Sequence, residues 1–203
     1  MSPAFPFADT FLHGHPLILA SGSPRRAELL RLVGATFEVV VPPEEPEPHT
    51  HVPEEVVTAL ASRKARDVAA GRPEAWVLGA DTMVAQGGRL LGKPRDRVEA
   101  RSMLRALSGS WHEVYTGICL CRAGLEHPAW ERSRVRFTEL SDGEIMSYID
   151  TGEPMDKAGA YGIQGYGALW VERVEGCYFN VMGLPLARLG RLFREAWANS
   201  DGA

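Results

Sequence analysis

Short apolar runs bounded by glycine and proline alternate along this chain with longer stretches that carry apolar residues at helical spacing. Leu17–Ala20 is wholly apolar and stops at Ser21-Gly22-Ser23-Pro24, which reads as a buried strand followed by a tight turn. Leu29, Leu30, Leu32 and Val33 then predict a helix from Pro24. A proline loses nothing at a first helical position, because the N–H it lacks has no partner there, and Ser23 is placed to cap. Phe37–Val41 reads as a second strand. Val57, Leu60, Ala61, Ala65 and Val68 set a helix over Glu54–Ala70. Trp76–Gly79 is another buried strand, ending at Ala80-Asp81-Thr82, with Met83–Ala85 as its continuation. Gln86-Gly87-Gly88-Arg89 is a hairpin turn into Leu90-Leu91. Further on, the pattern predicts a helix over Val98–Leu107 and strands over Glu113–Cys121 and Trp130–Phe137. A capping box at Ser141 and Glu144 opens a helix running to Asp150. A strand over Ala168–Val174 and a helix over Leu186–Ala198 close the chain. Strand–helix alternation early and hairpins later predict a mixed α/β sheet with helices packed around it. Met1–Pro16 has no periodicity and reads as a loose N-terminal extension, with 17–203 as a single domain.

Composition narrows the function. The chain has 203 residues, 45% hydrophobic and 24% charged, ordinary values for a globular protein with a real core. A formal net charge of -4 argues against a nucleic-acid polymer or an anionic membrane as main partner, while leaving room for a local basic pocket. No stretch approaches the roughly 20 apolar residues of a membrane span, and no basic region followed by an apolar run marks a signal peptide. Cys119, Cys121 and Cys177 are odd in number and lack zinc spacing. The first two share a strand face, so buried thiols in a reducing, cytoplasmic setting are expected.

The charged residues suggest chemistry. Arg25 and Arg26 sit in the first turn of a helix, where cations oppose the dipole. A bound polyphosphate would account for them, since guanidinium groups grip phosphate oxygens bidentately; a solvated pair is the alternative. Asp81 ends a buried strand, where ligands collect in α/β sheets. Lys93 lies between Gly92 and Pro94, on a backbone held extended, and Lys64 lies on a helix. If Arg25, Arg26, Lys64 and Lys93 converge, a net-acidic protein gains a strongly positive pocket. Gly152–Gly165, reading GEPMDKAGAYGIQG, permits close backbone approach to a ligand. Its Asp156, Lys157 and Gln164 offer an acceptor, a cation and an amide able to read a base edge. The P-loop signature is absent. The outline is a nucleotide-hydrolysing site.

ASGSPRR at Ala20–Arg26, GADT at Gly79–Thr82, GKP at Gly92–Pro94, YTG at Tyr115–Gly117 and EPMDKAGAYGIQG at Glu153–Gly165 resemble, in order, the Maf family of nucleoside triphosphate pyrophosphatases. The resemblance implies a mixed twisted sheet flanked by helices, with two lobes around a central cleft, related to the inosine-triphosphate pyrophosphatases. It implies hydrolysis of nucleoside triphosphates to monophosphate and pyrophosphate with a divalent metal, Mg²⁺ or Mn²⁺. By position, Asp81 would be the proton acceptor and a metal ligand. Ser21, Arg25, Arg26, Lys64, Lys93 and Lys157 would hold phosphates, and Arg25, Thr82 and Gln164 would track substrate choice. The motif versions resemble the branch acting on dTTP and UTP, with modified pyrimidine nucleotides as house-cleaning substrates. A purine or 7-methyl-GTP substrate, or a non-catalytic nucleotide sensor in cell division, are the competing readings. The family carries an acidic residue in the loop after the second strand, where an ungapped match puts Pro46. Glu45 or Glu47 would then take that metal-binding role by a small shift, with Glu45 the expected ligand. The resemblance leaves a homodimer open.

Overall fold

The computed structural model describes residues 7–43 and 50–200. In chain order the elements are a π-helical turn Ala8–Leu12, β1 (Leu17–Ala20), α1 (Pro24–Leu32), β2 (Glu38–Val39), α2 (Pro53–Ala69), β3 (Trp76–Gln86), β4 (Arg89–Leu91), α3 (Arg97–Leu107), β5 (Trp111–Arg122), β6 (Leu125–Phe137) and α4 (Asp142–Asp150). Three 3-10 turns follow at Glu153–Asp156, Ala158–Ala160 and Tyr166–Trp170, then β7 (Val171–Glu175), α5 (Tyr178–Met182) and α6 (Leu186–Ser200). The strands form a seven-stranded mixed sheet in the order β2-β1-β3-β5-β6-β7, with β4 on β3. β1 runs parallel to β2 and β3, whereas β3–β4 and β6–β7 are antiparallel. The mixed α/β class expected from the alternation is what the chain adopts. No helix among the described residues is long and apolar enough to cross a membrane.

Contacts group the chain into two compact units: Met1–Asp81 with Thr116–Glu131 and Gly183–Ala203, and Thr82–Tyr115 with Arg132–Met182. In the first, small residues face each other. Ala61 and Ala65 of α2 pack on Ile18, Ala20, Val77, Cys119 and Cys121, so the helix lies close to the strands. A Cβ on Gly79 would sit 2.1 Å from the Ala61 carbonyl oxygen, and one on Gly117 would sit 2.2 Å from that of Val57. These two strand glycines therefore mark direct backbone contact with α2. Burial raises the Cys119 thiol to about 11, which keeps it protonated and inert, and all three cysteines are free. In the second unit, α3 and α4 contribute Leu104, Leu107, Ile145 and Ile149 to a core with Val84, Val135 and Phe137.

Several boundaries differ from the sequence pattern. The N-terminal segment is not loose from Phe7 onward. Phe7 is buried with its ring against Phe11 and, edge-on, Phe193 of α6, and His13 stacks on Trp197 at 3.8 Å. Ser23 stands at the start of α1, but its side chain makes no capping bond. β2 shrinks to two residues. β3 continues unbroken through Asp81. Ala168 belongs to a 3-10 turn rather than to β7. The capping box at Ser141 and Glu144 forms as expected.

His112 of β5 is the one described histidine buried almost completely. Its Nε2 meets the Tyr161 hydroxyl at 2.8 Å, and its ring lies edge-on to Phe137. Burial lowers its pKa from 6.5 to about 3, so it folds neutral. The unfolded chain takes up a proton below about 6.5 that the native state refuses until about 3. His112 therefore costs no stability above that window, and the cost grows as pH falls through it, by up to about 1.4 kcal/mol per pH unit. Urea midpoints at pH 7 and pH 5 are expected to fall more steeply for the parent than for His112→Gln. Parallel declines would remove this role for His112.

Candidate active site

β1 and β3 are parallel and in register, with Ala20 opposite Gly79, so Ser21, just past the end of β1, and Asp81, two residues beyond Gly79 within β3, lie at the same level of the sheet. Ser21 is buried. Its Oγ accepts from Arg26 Nη1 at 2.8 Å and from the Ser23 amide at 3.2 Å. Arg26 Nε donates to the Gly183 carbonyl at 2.9 Å. A nearly buried guanidinium is thus fixed in place by two bonds. Burial lowers its pKa, the charge of Asp81 opposes that shift, and the neighbouring Arg25 adds to it. Arginine stays charged in proteins regardless, so this one holds a partly desolvated positive charge beside Asp81. The opening turn of α1, without a side-chain cap from Ser23, adds the positive end of a helix.

α2 supplies Lys64. Its Nζ donates to Asp81 Oδ1 at 2.6 Å, with both side chains 16% exposed. The pair is accessible enough to meet a ligand and enclosed enough to hold its geometry. Ser21, Arg26, Lys64 and Asp81, with the half-buried Arg25 beside Arg26, therefore form one cluster of cations around a single carboxylate. The sequence predicted each residue but not these pairings. A helical lysine is most often solvated, and only the tertiary contact gives Lys64 its carboxylate.

The second unit carries the other candidates. Thr82 follows Asp81 on β3 and is half-buried, on the opposite face by strand alternation. Lys93 is exposed in the turn after β4. The Gly159 amide donates to the Gly92 carbonyl at 3.0 Å, which joins the Lys93 turn to the segment carrying Lys157. Lys157 Nζ donates to the Glu153 carbonyl at 2.7 Å and to Asp156 Oδ1 at 2.6 Å, and Gln164 is exposed. Glu153 went unnoticed in the sequence. Its carboxylate accepts from the Tyr148 hydroxyl and from the Tyr166 and Gly167 amides. Burial pushes this carboxyl up, but those three donors and the charge of Lys157 outweigh it and leave it below its ordinary value. In the sequence it stands only as the first residue of EPMDKAGAYGIQG, with no role of its own.

Glu45, expected as a metal ligand, lies outside the described residues. Among the described residues no group of three or more His, Cys, Asp or Glu side chains gathers to hold a metal. The donor chemistry nonetheless suits a hard cation that arrives with its substrate. Mg²⁺ keeps waters and takes one or two carboxylates together with phosphate oxygens, and Asp81 supplies one such carboxylate beside Lys64 and Arg26.

Comparison with known proteins places the chain in a family. The family described as Maf-like protein matches residues 16–196. A dTTP/UTP pyrophosphatase from Koribacter versatilis is 52% identical over 185 residues, covering 90% of this chain and 95% of that protein. A dTTP/UTP pyrophosphatase from Symbiobacterium thermophilum is 55% identical over 173 residues, covering 85% and 89%. A solved nucleoside-triphosphatase / dITP/XTP pyrophosphatase from Mycobacterium abscessus aligns over 62% of this chain and 75% of its own at 20% identity. The TM-score of that alignment is 0.40. The family match runs from just before β1 into α6, and on that match this chain belongs to the Maf family.

Proposed function

We propose that this protein hydrolyses pyrimidine nucleoside triphosphates, dTTP and UTP, to the monophosphate and pyrophosphate. The observation that carries this reading is the Asp81 carboxylate, held by Lys64 at 2.6 Å beside the anchored Arg26. The names of relatives about half identical to this chain supply the substrate. Asp81 accepts a proton from water as the water oxygen bonds to the α-phosphorus. The bond from the α-phosphorus to the bridging oxygen of the β-phosphate breaks, and pyrophosphate leaves with that oxygen. Lys64 orients the carboxylate. Arg25 and Arg26, with Ser21 holding Arg26 in place, face the charge that develops on the phosphates. By the family resemblance, Lys93 and Lys157 would be further phosphate ligands, and Thr82 and Gln164 would bear on substrate choice. Asp81, with Glu45, would hold a divalent cation. When bound, the cation neutralises phosphate charge and makes the α-phosphorus easier to attack.

The test is pyrophosphate release from dTTP, UTP, CTP, GTP, 7-methyl-GTP and modified uridine triphosphates with Mg²⁺ or Mn²⁺. Turnover of dTTP and UTP, abolished by a chelator, is the expected result. Preference for GTP or 7-methyl-GTP would move the substrate to the purines. Binding without release from any nucleotide would make the protein a sensor.

A further inference from the structure

Gln164 is exposed and sits in a glycine turn, Gly162–Gly165, closed by the Gly165 amide donating to the Gly162 carbonyl at 3.2 Å. Two side chains hold the flanks of this turn. Before it, the Tyr148 hydroxyl accepts from the Gly162 amide at 3.0 Å. After it, Glu153 Oε2 accepts from the Tyr166 amide at 3.0 Å and Oε1 from the Gly167 amide at 3.4 Å. The two side chains are also joined to each other, the Tyr148 hydroxyl donating to Glu153 Oε1 at 2.7 Å.

We propose that Glu153 and Tyr148 form a clamp that positions Gln164 and so sets which base the protein accepts, an inference that rests on reading the site as a nucleotide pyrophosphatase. The clamp is anchored in the core. Tyr148 lies on α4, is buried, and packs edge-on to Trp170 at 5.0 Å. Ile163, just before Gln164, is buried as well. The clamp also explains the small residues around it. A Cβ on Gly165 would lie 2.3 Å from Glu153 Oε2, and one on Gly167 would lie 2.9 Å from the Tyr148 hydroxyl oxygen. Glycine at both places leaves room for the two side chains to reach the backbone.

Reading a base edge requires an amide whose donor and acceptor stay in a fixed plane. A glutamine on an unrestrained glycine turn would satisfy several bases by rotating. Here the turn is held at both flanks, so the Gln164 backbone is set before the nucleotide arrives. The chemistry also requires a carboxylate at residue 153. Three donors converge on two oxygens, and a glutamine there would set its own NH₂ against an N–H or a hydroxyl hydrogen. Lys157 Nζ bonds the main-chain carbonyl of Glu153 and Asp156 Oδ1, so both bonds survive a change of the Glu153 side chain, and Tyr148→Phe changes no charge beside that cation. Base selection and phosphate binding are thereby separable.

The experiment measures equilibrium binding of three probes to the full chain: α,β-methylene UTP, α,β-methylene dGTP, and inorganic triphosphate, which has no base. Glu153→Gln and Tyr148→Phe are compared with the parent; the tyrosine variant keeps its ring and its packing. Both are expected to lower the preference for the UTP analogue about tenfold while leaving triphosphate affinity within about twofold. Folded variants that keep the parental preference would overturn the clamp alone, as would an equal loss for all three probes, which marks a general structural role. A parent that binds nucleotides without preference removes the selectivity the clamp is invoked for. A parent that binds none of the three overturns the pyrophosphatase reading and the clamp with it.

Discussion

Asp81→Asn is expected to lower pyrophosphate release from UTP by about 10³-fold or more while leaving affinity for the triphosphate within about threefold of the parent. Asparagine has nearly the same shape and keeps an oxygen where Oδ1 accepts from Lys64 at 2.6 Å. It loses the charge and the ability to take a proton from water. Removing one negative charge beside Arg26 and Lys64 makes the cluster more attractive to phosphates, which offsets the loss of a carboxylate that would hold the cation. A fall in binding matched to the fall in rate would assign Asp81 to ground-state grip. Near-parental release would remove it from the chemistry. Rates with saturating UTP, and calorimetric titration with a non-hydrolysable analogue, separate the two.

The parts of this protein legible in its sequence are those whose order is local. Leu17–Arg26 reads as strand, turn and helix because a buried parallel strand is an uninterrupted apolar run and Pro24 has a single suitable place in a helix. Gln86-Gly87-Gly88-Arg89 reads as a hairpin because both glycines take positive φ, which that turn demands. The parts that were not legible are ordered by distant partners. Thr151–Gly167 carries no periodicity, because what fixes it is a glutamate bonded to amides 13 and 14 residues further on. The N-terminal turn is ordered by aromatic contacts with α6, at the far end of the chain. Asp81 was legible as an acid at the end of an apolar run, although the strand continues past it. Lys64 reads as a solvated helical lysine until α2 is laid on β3.

That placement of α2 can be tested through Gly79. The Cβ added by Gly79→Ala would lie 2.1 Å from the Ala61 carbonyl oxygen and 2.7 Å from the Ala65 amide nitrogen. Both are backbone atoms of the helix and neither can step aside alone. Either α2 lifts as a whole or β3 gives way. The expected cost is about 3 kcal/mol or more, at the upper end of overpacking, read from the urea midpoint at unchanged slope. Gly71→Ala is the control. A Cβ there meets nothing within 4 Å, and the expected change is under about 0.5 kcal/mol. The consequence for activity follows from the same geometry. Ala61 and Ala65 bracket Lys64 on the helix, so lifting that turn draws Nζ away from Asp81. The fraction of Gly79→Ala that remains folded is expected to turn over UTP about tenfold more slowly. Parental turnover per folded molecule would mean that the lysine is not held by the close approach of α2 to the strand. Parental stability would mean that the strand, rather than the helix, absorbs the extra methyl.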